Sequence, residues 1–252
     1  MLRRLRQDRR WLAAASVILI AACLLPPFAG YARRYVFAES LQFALFATAI
    51  PALLVLGAPW RLPGGPRPRW LALAARRRPG FGHSATVLAV FVGAVIAWRL
   101  PAAVNALATV PGLAVAEMVT LVVAGAALWL ELADSPPLLP RLSRPLRAAF
   151  AAVAMWTIWI LAYILGFSHV AWFHPYAHTG LSAVADQEIA TGILWAVPGI
   201  CFVPVVYVTM MTWLKDTEDP DEGLRTIIAR QRPAHGFGRW PRPPRGWDTR
   251  AR

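Results

Sequence analysis

Three ionisable residues of this sequence, Glu39, Arg99 and Glu117, lie inside or at the edge of long apolar runs. A charge in such a setting is costly unless it is paired or hydrated, so each is a candidate for function or for a structural tie. Glu39 and Arg99 have the signs of an ion pair that could hold two helices together. Met118, beside Glu117, offers a soft thioether, which is more often core filler than a copper ligand. A polar stretch, Ser168–Glu188, carries His169, His174, His178, Asp186 and Glu188 and no Lys or Arg. The spacing His169-x4-His174-x3-His178 can converge on a metal if the stretch is partly helical, since residues four apart share a helix face. Asp186-Gln187 precedes another apolar run, where a carboxylate can cap a helix. The candidate metal set is therefore His169, His174, His178 and Met118, and the candidate polar cluster is Glu39, Arg99, Glu117, Asp186 and Gln187.

The elements that must position these residues follow from composition. Hydrophobic residues make up 58% of the 252 and charged residues only 15%, more apolar surface than one water-soluble core of this size can hide. They come in blocks of membrane-spanning length, and such blocks read as helices because each satisfies its own backbone. Spans are expected at Trp11–Phe28, Tyr35–Leu56, His83–Trp98, Gly112–Leu132, Leu146–Phe167 and Ile189–Leu214. The fold class is an all-α, polytopic transmembrane bundle of about six spans, residues 1–214, with Trp70–Ala75 as an interfacial turn. Residues 215–252 form a basic tail rich in Pro and Arg, without the apolar content to fold alone. Pro51, Pro198 and Pro204 fall within spans and should kink them.

The net charge of +13 is distributed in a way that argues for lipid and against nucleic acid as the partner. Arginines crowd the N-terminus (Arg3, Arg4, Arg6, Arg9, Arg10), the second connection (Arg61 to Arg78), the fourth (Arg141, Arg144, Arg147) and the tail. The remaining connections hold only Arg33, Arg34 and Arg99. Six spans satisfy the positive-inside rule, with both termini cytoplasmic. Glu39, Arg99, Glu117 and the histidine stretch then share the outer face, while Glu131 and Asp134 fall at the cytoplasmic border. The basic start followed by an apolar run also fits a signal peptide, but the run ends in Pro26-Pro27-Phe28, so a retained first helix is expected. Cys23 and Cys201 lie inside spans and form no CxxC. The spans contain no histidine pair to clasp a b-type haem, and the chain has no di-iron boxes, phosphate loop or nucleophile elbow. The sequence does not look like that of an enzyme.

Four motifs, in order, resemble one family. Pro51-Ala-Leu-Leu-Val-Leu-Gly-Ala-Pro-Trp60 resembles the APPLLxLGxP stretch of CtaG-type cytochrome c oxidase assembly factors. Arg99-Leu-Pro-Ala102 is similar to their HLP segment. Glu117-Met-Val-Thr-Leu-Val-Val-Ala-Gly125 with Trp129 is similar to their EHxxFxxxGxxxW. Asp186-Gln187 with Gly192-Ile-Leu-Trp-Ala-Val-Pro-Gly199 resembles their DQxxxGxxxWxPG. The resemblance implies a multi-pass protein of the bacterial inner membrane that works with haem–copper oxidase subunits, handling copper at the periplasmic face. No other cofactor is implied. The departures matter. The family's HMxxH aligns with Glu39-Ser-Leu-Gln-Phe43, and the histidines of HLP and EHxxF are Arg99 and Met118. The chain is thus a divergent member without the in-span histidines. It has either rebuilt a copper site from Met118 and the loop histidines or become a metal-free accessory subunit of a respiratory complex.

Overall fold

The computed structural model describes residues 9–60, 80–110, 112–135, 138, 140–168, 170–176 and 180–217. The expected turn at Trp70–Ala75, His169, His178 and the tail beyond Thr217 lie outside these residues. Among the described residues there is no strand, and eight helices carry the fold: α1 (Arg10–Leu24), α2 (Phe28–Ala32), α3 (Val36–Gly57), α4 (Phe81–Arg99), α5 (Pro101–Thr109), α6 (Leu113–Leu132), α7 (Arg144–Gly166) and α8 (Ala183–Thr217). The chain is an all-α membrane bundle. Met1–Thr212 forms one compact unit and Trp213–Arg252 a second, of which the described residues end the α8 helix.

Five helices, α3, α4, α6, α7 and α8, are long and apolar enough to cross a membrane. The expected first span is shorter. Its regular helix stops at Leu24, before Pro26-Pro27, and 15 residues reach only about 22 Å against a hydrocarbon core of about 30 Å. The expected last span begins six residues earlier than its apolar run, at Ala183, so Asp186 and Gln187 sit within the helix and not before it. Polar residues in a first turn hide the start of a helix from a hydropathy reading. Large apolar side chains such as Val17, Val90, Val123, Ile160 and Ile200 face outward, as lipid-facing positions require.

Helix α3 is the centre, with 67% of its apolar window buried against 17% for α4. It packs against α1 and α6, and α4 and α7 close around α6. Helix α8 joins through a Trp129–Phe202 stack with centroids 5.4 Å apart and through Cys201, which packs against the apolar core. A π-helical segment, Leu45–Ala49, interrupts α3 just before Pro51. Pro51 has no N–H to give the Ala47 carbonyl, and the widened turn absorbs the lost bond. That carbonyl faces α6 at Gly125, where a Cβ would lie 2.7 Å from the Ala47 oxygen and 2.7 Å from Pro51 Cγ. The two backbones approach because Gly125 has no side chain, the means by which membrane helices commonly gain contact. The motif residues Pro51 and Gly125 are thus the two halves of one crossing.

At the end of the bundle opposite Glu39, the border charges are tied in. Glu131 is 4% exposed, accepts from Ser84 Oγ at 3.0 Å and pairs with Arg141 at 3.4 Å. Asp134 meets Arg147 at 3.3 Å, and the buried Ser135 hydroxyl bonds to the Val55 carbonyl at the end of α3. These contacts fasten the segment after α6 beneath α3 and α4.

Gly125→Ala should overpack the α3–α6 crossing and lower stability by about 1–3 kcal/mol. Gly93→Ala, where an added Cβ meets nothing within 4 Å, should change it by less than about 0.5 kcal/mol. Unfolding of the two purified variants in detergent, followed by tryptophan fluorescence, measures the contrast.

Candidate functional site

The polar residues singled out in the sequence come from three helix beginnings and one helix end, all at the same end of the bundle. Glu39 lies in the first turn of α3 and Glu117 just over one turn into α6. Arg99 is the last residue of α4, stopped there by Leu100-Pro101, whose proline begins α5. Asp186 and Gln187 occupy the first turns of α8.

Glu39 and Arg99 form a two-armed ion pair. Arg99 Nη2 donates to Glu39 Oε1 at 3.1 Å and to Oε2 at 2.9 Å, and Nη1 donates to Oε2 at 2.9 Å. Nη1 also donates to the Ser40 hydroxyl at 3.2 Å, which in turn lies 3.4 Å from Glu39 Oε2. The guanidinium sits 4.0 Å from the centre of the Phe43 ring. Phe43 is one turn beyond Glu39 on the same face of α3, so one helix supplies both the anion and the π-face that bracket the cation. Glu39 and Arg99 are 4% and 3% exposed, which makes these charge-assisted bonds a near-complete replacement for water.

Glu117 faces the pair from α6 within electrostatic reach of both members. Its Oε1 and the Arg99 Nε are buried and have no hydrogen-bond partner among the described residues. Tyr176 covers the cluster from the α7–α8 connection. Its hydroxyl donates to the Val104 carbonyl of α5 at 3.3 Å, and burial, followed by the negative field of Glu39, pushes its phenol above the ordinary value. Nothing in the sequence signals Tyr176, whereas Phe43 was legible as the fourth residue after Glu39.

Asp186 does not cap its own helix. Ser182 Oγ accepts the Ala185 N–H at 3.2 Å, and Asp186 reaches across to the start of α3. Its two oxygens accept the Val36 N–H at 2.9 Å and the Phe37 N–H at 2.8 Å. The acceptor that the first turn of α3 lacks locally is thus supplied 150 residues away in sequence. Gln187 is an analogous clasp. Its Nε2 donates to the Leu165 carbonyl at 2.8 Å, and its Oε1 accepts the Trp172 N–H at 3.2 Å. Aspartate and glutamine side by side therefore fix the beginning of α8 to the beginning of α3 and the end of α7. Asp186 thereby fixes the turn of α3 that carries Glu39.

Two of the four candidate metal ligands belong to the described residues, and they do not share the polar cluster's chemistry. His174 is exposed in the connection between α7 and α8, and Met118 is half-buried against the apolar core. Met118 follows Glu117 by one residue, about 100° around the helix, so the two side chains leave α6 in different directions. Among the described residues, no three His, Cys, Asp or Glu side chains converge as metal ligands would.

Residues 1–216 match the family described as cytochrome c oxidase caa3 assembly factor (Caa3_CtaG). The chain belongs to that family. No match was found among curated proteins or among solved structures. Within the family pattern, the three positions written His in HMxxH and HLP are Glu39, Phe43 and Arg99 here, and in this family member they touch one another. The donor set does not fit copper. Both Glu39 oxygens are engaged by Arg99, Phe43 offers no donor atom, and a fixed guanidinium charge repels a cation.

Arg99→Met should destabilise the bundle by about 3–5 kcal/mol, because it leaves Glu39 buried and alone, whereas Glu39→Met with Arg99→Met should recover most of that loss. A double-mutant cycle on detergent-unfolding midpoints checks this, and additive single effects would remove the pair from its central place. Asp186→Ala should cost about 1–2 kcal/mol by uncapping α3, read in the same assay.

Proposed function

We propose that this protein is an assembly factor for a caa3-type haem–copper oxidase that acts through protein–protein contact, without copper held inside its helix bundle. One observation carries the reading: the positions that hold histidine in the family pattern are joined here by a buried ion pair and its aromatic partner. A guanidinium neutralises Glu39 permanently, where a copper ion would do so only when loaded. The cluster then serves to hold α3 and α4 in a fixed relation and so keeps the shape that a partner recognises. The rival reading places copper on His169, His174, His178 and Met118, which carry imidazole and thioether donors.

In this reading the protein is a multi-pass protein of the bacterial inner membrane with both termini in the cytoplasm, supported by the alternation of arginine between connections. The ion pair, Tyr176 and the α7–α8 connection then belong to the periplasmic side. The basic sequence from Lys215 onward carries the charge that suits the anionic headgroups of the cytoplasmic leaflet. The protein catalyses no reaction of its own.

Deleting the chain from its native membrane should leave oxidase subunits synthesised but the assembled, spectroscopically mature oxidase depleted. Recovery of a stoichiometric oxidase with the chain in mild detergent would instead make it a resident accessory subunit. Purified wild-type protein reconstituted anaerobically with Cu(I) and desalted should retain no copper. One copper per chain, lost on replacing the three histidines by alanine and weakened as pH falls through about 6.5, would establish the rival reading. Reporter fusions after Leu132 and Leu214 should report cytoplasm and one after Gly180 periplasm.

A further inference from the structure

A surface loop ordinarily leaves part of its backbone to water. In the connection between α7 and α8, every main-chain N–H and C=O of Ser168, Val170 and Trp172 is paired within the protein. The Ser168 N–H donates to the Leu165 carbonyl at 3.3 Å, and the Ser168 carbonyl accepts from Gln187 Nε2 at 3.5 Å. The Ser168 hydroxyl accepts the Val170 N–H at 3.4 Å and donates to the Val170 carbonyl at 3.2 Å. Trp172 gives its N–H to Gln187 Oε1 at 3.2 Å, and its carbonyl accepts from Asn105 Nδ2 at 3.3 Å. Even its indole N–H turns inward, to the Ser168 hydroxyl. Non-helical backbone tolerates a water-poor setting only when it is satisfied in this way.

The side chains of the same stretch divide between two faces. Phe173 and Tyr176 are buried, Tyr176 over the Glu39–Arg99 pair, whereas Phe167, Val170 and Trp172 point outward. Phe167 and Val170 are 68% and 67% exposed. Their face continues the lipid-facing side of α7, where Tyr163 and Ile164 are exposed and the Tyr163 ring lies 4.3 Å from that of Phe167. From Phe167 to Tyr176 the chain has no Asp, Glu, Lys or Arg. The depth agrees. Arg147 meets Asp134 at the opposite border, and Phe167 follows Arg147 by 20 residues, about 30 Å of helix, the thickness of the hydrocarbon. Phe167 therefore stands at the edge of the acyl region, and any tilt of α7 takes it deeper.

We propose that Phe167, Val170 and Trp172 seat the α7–α8 connection in the bilayer interface, against the glycerol and upper acyl region of phospholipid. An apolar, aromatic face without charge, on a backbone that asks nothing of water, suits the boundary where headgroups give way to chains. The bilayer then bounds the connection on one side, while Gln187 and Asn105 hold it on the other. Phe173 and Tyr176 stay seated over the ion pair as a result, and lipid forms the outer layer of its cover. Phospholipid alone supplies this contact, so it holds whether or not the chain serves an oxidase.

Hydroxyl-radical footprinting of the purified full-length protein in phosphatidylcholine–phosphatidylglycerol vesicles reads the contact without any substitution. Phe167 and Trp172, each normalised to the denatured chain, should be oxidised about tenfold more slowly than His174, which is exposed in the same connection. Comparable rates would put the face in water and overturn the seat. Rapid oxidation in these vesicles with protection in native membranes would also overturn it, since a protein would then be the cover. A dansyl amino acid in place of Val170 gives a second readout. Its emission should be quenched about threefold more by a nitroxide near the top of the acyl chain than by aqueous iodide. The order should reverse for the same amino acid in place of His174. Equal iodide quenching at the two positions would overturn the proposal.

Discussion

A buried charge pair can exist in a lipid-embedded protein only if the fold surrounds it completely, and the Glu39–Arg99 pair imposes that demand on every helix at its end of the bundle. Helix α3 brings the carboxylate, the Ser40 hydroxyl and the Phe43 ring, and α4 must end where the guanidinium can lie between them. The proline that opens α5 fixes that ending. Tyr176 closes the approach from the far connection by bonding to α5. Buried pairs of this kind add little net stability over a well-packed apolar core, but they punish any arrangement that separates the partners. Their value is in selecting one packing of helices from the many that lipid would tolerate.

The same logic runs through the backbone. Water cannot rescue an unpaired N–H or C=O within a bilayer, so irregularities in one helix are answered by another. The first turn of α3 is completed by Asp186 of α8 and the last turn of α7 by Gln187. Where the π-helical segment before Pro51 widens α3, the missing Cβ of Gly125 lets the α6 backbone come up against the Ala47 carbonyl. Family motifs that read along the chain as scattered prolines, glycines and an Asp-Gln dyad are, in three dimensions, the contact points between helices. In this chain they specify how the bundle closes.

The positions that align with the histidines of HMxxH and HLP are occupied here by residues that pair with one another. Glu39, Phe43 and Arg99 converge because the α3–α4 geometry is held by these other contacts. Once that geometry is fixed, the three positions are neighbours whatever they carry. An anion, a cation and an aromatic ring satisfy one another there. Met118, at the fourth such position, lies instead with the apolar core, so the family pattern alone does not define a single pocket in this chain.

The sequence by itself located five long spans, all but the start of the last to within a few residues, because hydropathy over about 20 residues is a local quantity that the bilayer reads directly, and it counted the shorter first helix as a sixth. It also singled out Glu39, Arg99 and Glu117, since a charge within an apolar run is visible without any structure. Phe43 was within reach through its four-residue spacing from Glu39. Three features were decided only by tertiary structure. The early start of α8 depends on where the helix finds capping partners, which hydropathy does not record. The role of Asp186 depends on α3, which is remote in sequence, and its place beside an apolar run pointed to the wrong helix. Tyr176 entered the cluster through a loop whose path no periodicity encodes. Local burial energy is written residue by residue, whereas the partner of a polar group is set by which helices meet, and that belongs to the assembled bundle alone.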